Sequence, residues 1–300
     1  MTATHTPPVA PERATATVGA PTPGAPAGEL LPGSVGPPPA PSRVRAALVS
    51  VGFGALGIGV FVALWAFLSS RNDDLPGPLD AWEQLRTLVA DGFTGSGPNG
   101  QGIFLQLGDS LELALKGFGI AALVGIPLGL LAGGTRRAWQ AINPLVQLLK
   151  PVSPLAWFPI GLVAFKDTGK AALFVVFVCA LWPMVLNTAV GAASVPVDQR
   201  NVARVFRFGR RAYLRQIVVP HTMPSIITGM RLSMGIAWMV IVAAEMLSGD
   251  SGIGFFIWNS YNGGNLAAVM AAIVLIGIVG VVLDTLFVTL GKHYSGEAHR

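Results

Sequence analysis

The sequence predicts an all-α membrane protein whose chain crosses the bilayer six times. Hydrophobic residues make up 52% of its 300 residues, charged residues make up only 12%, and the mean hydropathy is +0.60. Soluble domains rarely combine so many apolar residues with so few charges. The apolar residues also form six runs of the length that a bilayer requires, about 20 helical residues each. Lys and Arg concentrate in alternate loops between these runs, as expected for a multi-pass protein.

Prolines interrupt one of the six predicted spans. The spans comprise residues 46–68, 111–134, 142–165, 171–190, 226–247 and 266–290. The third contains Pro151, Pro154 and Pro159, and each proline removes a backbone donor and can kink or break a helix. A broken helix is tolerated in a membrane only where protein or a water-lined cavity satisfies the freed groups. The third span is therefore predicted to be either a pore lining or a packed kink.

The N-terminal segment has a different composition from the rest of the chain. Residues 1–42 are rich in Pro, Ala, Thr and Gly, with almost no large apolar side chains. Such a segment cannot bury enough surface to fold, so it is predicted to be a disordered cytoplasmic tail. Residues 43–300 are predicted to form the transmembrane domain.

Several classes of function are disfavoured by residue content. The lone cysteine, Cys179, excludes a disulfide within the chain. The chain has no G-x-x-x-x-G-K-[ST] loop, so we do not expect it to bind and hydrolyse ATP alone. Its polar intramembrane residues are scattered, so we expect no catalytic site, metal or other bound cofactor. The net charge of +5 is typical of basic cytoplasmic loops and does not by itself indicate nucleic-acid binding.

Basic residues assign the sides of the membrane. Arg43 precedes the first span, Arg136 and Arg137 lie between the second and third, and Lys292 follows the sixth. All of these loops fall on one side, which the positive-inside rule makes cytoplasmic, so both termini are predicted to be inside. The outer segment 78–93 has apolar side chains at helical spacing. It is predicted to be a helix on the outer interface or a lid over the pore.

An arginine-rich segment lies between the fourth and fifth spans. On a helical wheel one narrow face carries Arg200, Arg204, Arg207, Arg211 and Arg215. The other face carries Val202, Val205, Phe206, Tyr213 and Ile217. The pattern predicts an amphipathic helix that can bend at Gly209 and that Pro220 and Pro224 end. Such a helix either lies on anionic lipid or docks in the groove of a partner protein.

This segment resembles the cytoplasmic EAA loop of ABC-importer permeases. The chain has "NVA" at 201–203 and "IVVP" at 217–220, in the register of that loop. Asn201 replaces the usual Glu, and Arg207 stands where a Gly is usual. The resemblance implies that residues 196–222 hold the coupling helix that fits a cleft on an ATPase subunit. The coupling residues implied are Asn201, Val202, Ala203, Arg204, Val205, Phe206, Arg207, Gly209, Arg211, Tyr213, Ile217 and Pro220.

Other stretches narrow the resemblance to one branch. "PVSPLAWFPI", "NVARV" and "VAAEMLSG" are similar to nitrate permeases, within the nitrate, bicarbonate, cyanate and sulfonate branch. The resemblance covers about residues 44–291 and implies a type I ABC importer (MetI-like) permease fold. It implies a bacterial inner-membrane permease for nitrate or nitrite, with bicarbonate, cyanate, and taurine or other sulfonates as alternatives. The implied partners are ATPase subunits that bind ATP and Mg, a second and identical permease chain, and an extracytoplasmic binding protein.

Polar residues within or beside the spans are candidates for the translocation path. They are Lys150, Ser153, Pro154, Trp157, Asn187, Arg231, Trp238 and Glu245. Lys150 either attracts an anion or extends its ammonium to the interface. Arg231 either ties the coupling helix to the fifth span or faces the path. Glu245 is expected to form an ion pair or to contact the binding protein, and Asp284 to pair with a loop arginine such as Arg137.

Two other functions remain as alternatives. A channel or carrier that works without ATPases would not need the EAA-like loop. A membrane enzyme would need an acid, base or metal constellation, which the sequence does not display.

Overall fold

The computed structural model describes residues 43–72, 74–94 and 100–297, and the predicted disordered tail lies outside these residues. The chain divides into two compact units after Gly57: the start of the first helix belongs to one, and the remaining helices belong to the other. In chain order the helices are α1 (Arg43–Ser69), α2 (Pro78–Ala90), α3 (Ile103–Gly134), α4 (Arg136–Leu149), α5 (Pro154–Phe165), α6 (Thr168–Ala193), α7 (Val197–Val205), α8 (Arg210–Tyr213), α9 (Val219–Ser248), α10 (Ile253–Asn262) and α11 (Leu266–Glu297).

Most of the predicted spans are helices of membrane-crossing length and composition. Among the described residues there are five: α1, α3, α6, the α8–α9 pair and α11. A sixth crossing results if α4 and α5 count as one broken span. The all-α membrane fold is therefore confirmed, although α3 begins eight residues before the predicted span. The apolar side chains of α1, such as Phe61, are exposed within the chain, as expected for a helix that faces lipid.

Helix α6 lies at the centre of the second unit, packed between α3 and α9. Along α3, Gly125, Gly129 and Gly133 all face α6. A Cβ atom at Gly133 would lie 2.2 Å from the Ala189 carbonyl oxygen, and one at Gly129 would lie 2.5 Å from Thr188 Cβ. Small residues repeated every four positions thus let two membrane helices approach closely within one chain.

The third predicted span is not a single helix. Helix α4 ends at Leu149, α5 begins at Pro154, and the two axes differ by 99°. Proline suits the first turn of a helix because the amide it lacks has no intrahelical partner there. The segment between the helices therefore breaks where the prolines cluster. Pro159 is accommodated inside α5.

The prediction of one continuous helix over the arginine-rich segment is wrong. Helix α7 ends at Val205, and Arg207 adopts a left-handed conformation with φ of 50°. The helix resumes at Arg210, widens into one π-helical turn (Leu214–Val218) and continues as α9 without stopping. Neither proline ends it: Pro220 follows the π-helical turn directly, and Pro224 lies inside α9.

Two of the loops predicted to lie outside, those after the first and fifth spans, contain packed helices. Helix α10 was not predicted; its Ile253 and Phe256 are buried with Ala268 and Ala271 of α11. Helix α2 adds Leu85 to the same apolar cluster. Part of the apolar face of α2 therefore packs on protein, whereas Trp82 and Val89 of the same face remain 59% and 44% exposed, as a helix on the outer interface requires.

Candidate translocation path and coupling segment

A cavity of about 270 Å³ opens at the bend between α4 and α5. Four of the predicted path residues line it: Lys150, Ser153, Pro154 and Trp157. Cys179 and Trp182 contribute from α6, and Met239 contributes from α9. The proline-rich segment therefore lines a space between three membrane helices, which agrees with the pore-lining alternative.

Lys150 is the charged residue of this cavity. It caps the C-terminal end of α4 and is exposed. Neither of the two ion pairs found among the described residues includes it. The ammonium is thus available to attract an anion toward the bend, where apolar walls provide little dielectric screening.

Two other predicted path residues use their polar groups in packing. The Asn187 amide donates to the Pro183 carbonyl at 2.8 Å, within α6. The Trp238 indole N–H donates to the Ile276 carbonyl of α11 at 3.0 Å. Neither side chain lines the cavity at the bend. Trp182, which the sequence did not single out, does line it, and its indole nitrogen is buried without a partner in the described chain.

Glu245 is buried at the end of α9, with only 3% of its surface exposed. The Gly254 N–H and the Ser110 hydroxyl donate to its carboxyl oxygen at 2.9 and 2.8 Å. The Ile253 N–H donates to the same Ser110 hydroxyl at 2.8 Å. The carboxyl group thus accepts hydrogen bonds at the N-terminus of α10, where free N–H groups favour negative charge. These hydrogen-bond donors to Glu245 are uncharged, in contrast to the ion pair that was one of the two alternatives expected from the sequence.

Two glycines make this arrangement possible. Gly252 has φ of 98°, and a Cβ atom there would lie 2.2 Å from the Glu245 carboxyl carbon. A Cβ atom at Gly254 would lie 2.1 Å from the Val242 carbonyl oxygen. Sequence analysis missed the role of both glycines, although the "GDSGIG" pattern after the glutamate was a signal for a tight turn.

Arg231 of α9 forms a bidentate ion pair with Asp284 of α11. Its Nε and one terminal nitrogen donate to the two carboxylate oxygens at 2.5 and 2.7 Å. The expectation that Asp284 pairs with a loop arginine is therefore wrong. The pair links two spans, and both side chains remain about half exposed.

The arginine-rich segment presents an unpacked mixed surface. Val205 is 78% exposed and Phe206 is 71% exposed, beside the exposed Arg204, Arg207 and Arg211. Other predicted coupling residues are placed differently: Ala203 is buried, and Tyr213 and Ile217 are half-buried. Exposed large apolar side chains next to fixed positive charges are typical of a surface that another molecule covers.

The last turn of α6 holds both ends of this segment. The Arg200 guanidinium donates to the Ala193 carbonyl at 2.9 Å. The Ser194 hydroxyl lies 3.2 Å from His221 Nε2. These contacts connect α7 and the first turn of α9 to the end of α6, and α9 continues directly from the segment.

These features describe a multi-helix membrane protein with an exposed basic loop. The family model for the inner membrane component of binding-protein-dependent transport systems matches residues 125–295. The chain belongs to this family, whose members are permease subunits of ABC transporters.

The chain is similar in sequence to permeases of two anion transport systems. The chain is 41% identical to the nitrate import permease protein NrtB of Leptolyngbya laminosa, over 77% of this chain and 83% of that protein. It is 43% identical to the bicarbonate transport system permease protein CmpB of Synechococcus elongatus, over 76% of this chain and 84% of that protein.

A solved structure shows the same fold. An inward-facing conformation of the MetNI methionine ABC transporter aligns with a TM-score of 0.59, covering 71% of this chain and 98% of the matched chain. The sequence identity is 14%, so this likeness bears on the fold alone. It confirms the MetI-like fold that the sequence predicted.

Proposed function

We propose that this chain is the permease subunit of an ATP-driven importer and forms the membrane path for nitrate, with nitrite as a second substrate. The proposal rests on the sequence identity of 41–42% between this chain and two NrtB permeases, over most of the length of each protein. The CmpB likeness makes bicarbonate the main alternative, and cyanate and small sulfonates are further ones. Nitrate and bicarbonate are both small, singly charged oxyanions, so one kind of path suits either.

The cavity at the α4–α5 bend suits such a substrate. Lys150 supplies one positive charge, and Ser153 supplies a hydroxyl donor among apolar walls. A single cation among few donors favours weak and reversible binding, which transport requires. Asn187 and Glu245 act on this path through the positions of α6 and α9.

The arginine-rich segment is proposed to be the site of ATPase coupling. Partner ATPase subunits bind ATP and Mg, and this chain binds no cofactor of its own. Arg204, Phe206 and Arg211 enter the cleft of an ATPase subunit. Closure of the ATPases then moves α7 and α8, and the links to Ala193 and Ser194 carry the movement to α6. Differential contacts in two states are what energetic coupling requires.

The proposed assembly contains more than one kind of chain. A second, identical permease chain completes the path, and an extracytoplasmic binding protein delivers the anion. Lipid of a bacterial inner membrane covers the exposed apolar helices. The basic loops assign both termini to the cytoplasm.

Uptake into proteoliposomes tests this proposal. The permease is reconstituted with its ATPases and binding protein, and isotopically labelled nitrate is followed with and without ATP. We expect ATP-dependent nitrate uptake that unlabelled nitrite reduces and that bicarbonate, cyanate and taurine do not. Uptake of bicarbonate with no nitrate transport would support the alternative substrate. Uptake that is independent of ATP would support an anion channel or carrier instead.

A further inference from the structure

The Arg231–Asp284 pair lies within two helices of membrane-crossing length, yet it is not enclosed by protein. The exposed fractions of the two side chains are 46% and 50%. Charged groups are expensive in hydrocarbon and normally face a bundle interior or a water-filled space. In a membrane the exposed side of this pair therefore needs water, lipid headgroups or polar groups of another chain beside it.

The guanidinium of Arg231 retains unused donors. Arginine has five N–H groups, and the two hydrogen bonds to Asp284 use one on Nε and one on a terminal nitrogen. The remaining N–H groups lie on the terminal nitrogens. They are arranged as a planar fork of the kind that matches two oxygens of an oxyanion.

Two cavities adjoin the pair along the groove between α9 and α11. One of about 100 Å³ extends toward Trp238, and one of about 300 Å³ extends toward Thr228 and Lys292. Arg231 lines both of them, and Thr228, Arg231 and Trp238 recur at spacings that place them on one face of α9. The groove thus carries two cations in sequence, Arg231 and Lys292, whereas the Thr228 hydroxyl donates to the Pro224 carbonyl at 2.9 Å.

We propose that Arg231 and Asp284 form a weak anion-binding site on the import path. Arg231 donates to the oxygens of the anion, and Asp284, held against the same guanidinium, lowers its net charge. Binding is then strong enough for the anion to enter and weak enough for it to leave, as conduction through a membrane requires. This proposal rests on the proposed function as an anion permease and extends it to a site away from the α4–α5 bend.

A purely structural role for the pair makes a different prediction. If the pair only joins α9 to α11, removal of either partner destabilises the protein and leaves anion affinity unchanged. If it binds an anion, the two substitutions act in opposite directions. Asp284→Asn strengthens binding because a repelling charge is removed, whereas Arg231→Gln weakens it because the donors are lost.

Nitrate-dependent thermal stabilisation of the purified permease–ATPase complex in nanodiscs measures this directly. Sodium nitrate is titrated against sodium gluconate at constant ionic strength, with no binding protein present. We expect Asp284→Asn to lower the apparent Kd about tenfold, which corresponds to about 1.4 kcal/mol. We expect Arg231→Gln to raise the apparent Kd for nitrate by at least a similar factor. We also expect Asp284→Asn to reduce the maximal rate of nitrate uptake, because the anion is released more slowly.

Glu112→Gln is the matched control. Glu112 pairs with Lys116 at 2.5 Å on the exposed surface of α3, and its substitution removes the same charge from a comparable ion pair. We expect it to leave the nitrate Kd unchanged. Arg231→Lys is the second test variant if the neutral substitutions do not fold. It keeps the positive charge beside Asp284 but lacks the planar fork, so we expect several-fold weaker nitrate binding.

Failure of this inference is distinguishable from failure of the proposed function. If the wild-type complex takes up nitrate but shows no nitrate-dependent stabilisation, or if all variants keep the wild-type Kd, the Arg231 site is wrong and the permease function stands. If the wild-type complex takes up bicarbonate and not nitrate, the proposed substrate is wrong. The same titration with bicarbonate then tests the site.

Discussion

At the scale of single residues, the charges within the spans have separate tasks. Glu245 accepts hydrogen bonds from uncharged groups and holds the start of α10 against α3. Arg231 forms an ion pair with Asp284, and Lys150 lines a cavity. The sequence grouped these three residues as one candidate path, because residue type alone does not show which polar groups are already satisfied.

We predict that Gly252→Ala destabilises the fold. The added Cβ would overlap the Glu245 carboxyl group. In addition, residue 252 has φ of 98°, a backbone conformation that disfavours any side chain. Strain and overlap together should lower the free energy of unfolding by about 2–4 kcal/mol, measured as a lower midpoint of thermal unfolding.

Two alanine substitutions at other glycines separate the effect of backbone strain from the effect of overlap with Glu245. Gly249 has φ of 71° with open space around it, so Gly249→Ala introduces strain alone, about 1 kcal/mol. Gly235 lies in α9 with no positive φ and with open space around it, so Gly235→Ala should not lower the stability of the protein. Equal midpoints for the Gly252 and Gly249 variants would contradict a requirement for close approach to Glu245.

We predict that Arg207 strains the turn between α7 and α8. Its φ of 50° costs a residue with a side chain about 1 kcal/mol, and less in Asn than in a β-branched residue. Thermal stability should therefore rise in the order Val, Arg, Asn, Gly at this position. This geometry also explains why glycine is usual at the corresponding position of EAA loops. A more stable Val variant would show that the left-handed turn is not maintained.

At the scale of elements, the arginine-rich segment is predicted to couple ATP hydrolysis by the partner subunits to anion uptake. Arg204→Glu or Arg211→Glu reverses a charge on the exposed surface of the segment without removing a packed group. We expect uptake to fall at least tenfold, while ATP hydrolysis by the assembled complex no longer responds to the binding protein and the chain still inserts in the membrane.

Arg86→Glu provides the control for this prediction. Arg86 is exposed on α2, at a distance along the chain from the coupling segment. The same charge reversal there should leave the coupling of ATP hydrolysis to uptake unchanged. Normal uptake by the Arg204 and Arg211 variants would contradict the docking role.

The helices were predictable to different degrees. Long apolar runs identified the crossings because composition alone makes them insoluble in water. The bend of 99° between α4 and α5 was not predictable, because three prolines permit a break without fixing its angle. The helical wheel likewise placed five arginines on one face, but it could not show that Arg207 interrupts the helix. Helix α10 was missed because its stability comes from packing on α11 and from Glu245.

At the scale of the whole molecule, the candidate path joins residues that are distant in sequence. One segment supplied Lys150, Ser153, Pro154 and Trp157, and these could be predicted together because the prolines marked them. The α6 and α9 sides of the same cavity could not be predicted, since the packing of one helix on another leaves no local signal in an apolar sequence. Transport requires these three walls to move relative to one another between two states.

The single cysteine of the chain provides a probe of that movement. Cys179 lines the cavity at the α4–α5 bend, so a small methanethiosulfonate reagent that enters the path should modify it. We predict that the rate of modification in the assembled importer changes several-fold when the ATPases are trapped with ATP and vanadate, because closure of the ATPases changes access to the cavity. Saturating nitrate should slow the reaction in the accessible state by occupying the same space. Cys179→Ala defines the background on this chain, and cysteine-free partner subunits ensure that the signal is its own. A rate that is the same in both states would mean that Cys179 lies outside the moving path, and the cavity would then be a static packing defect at the bend.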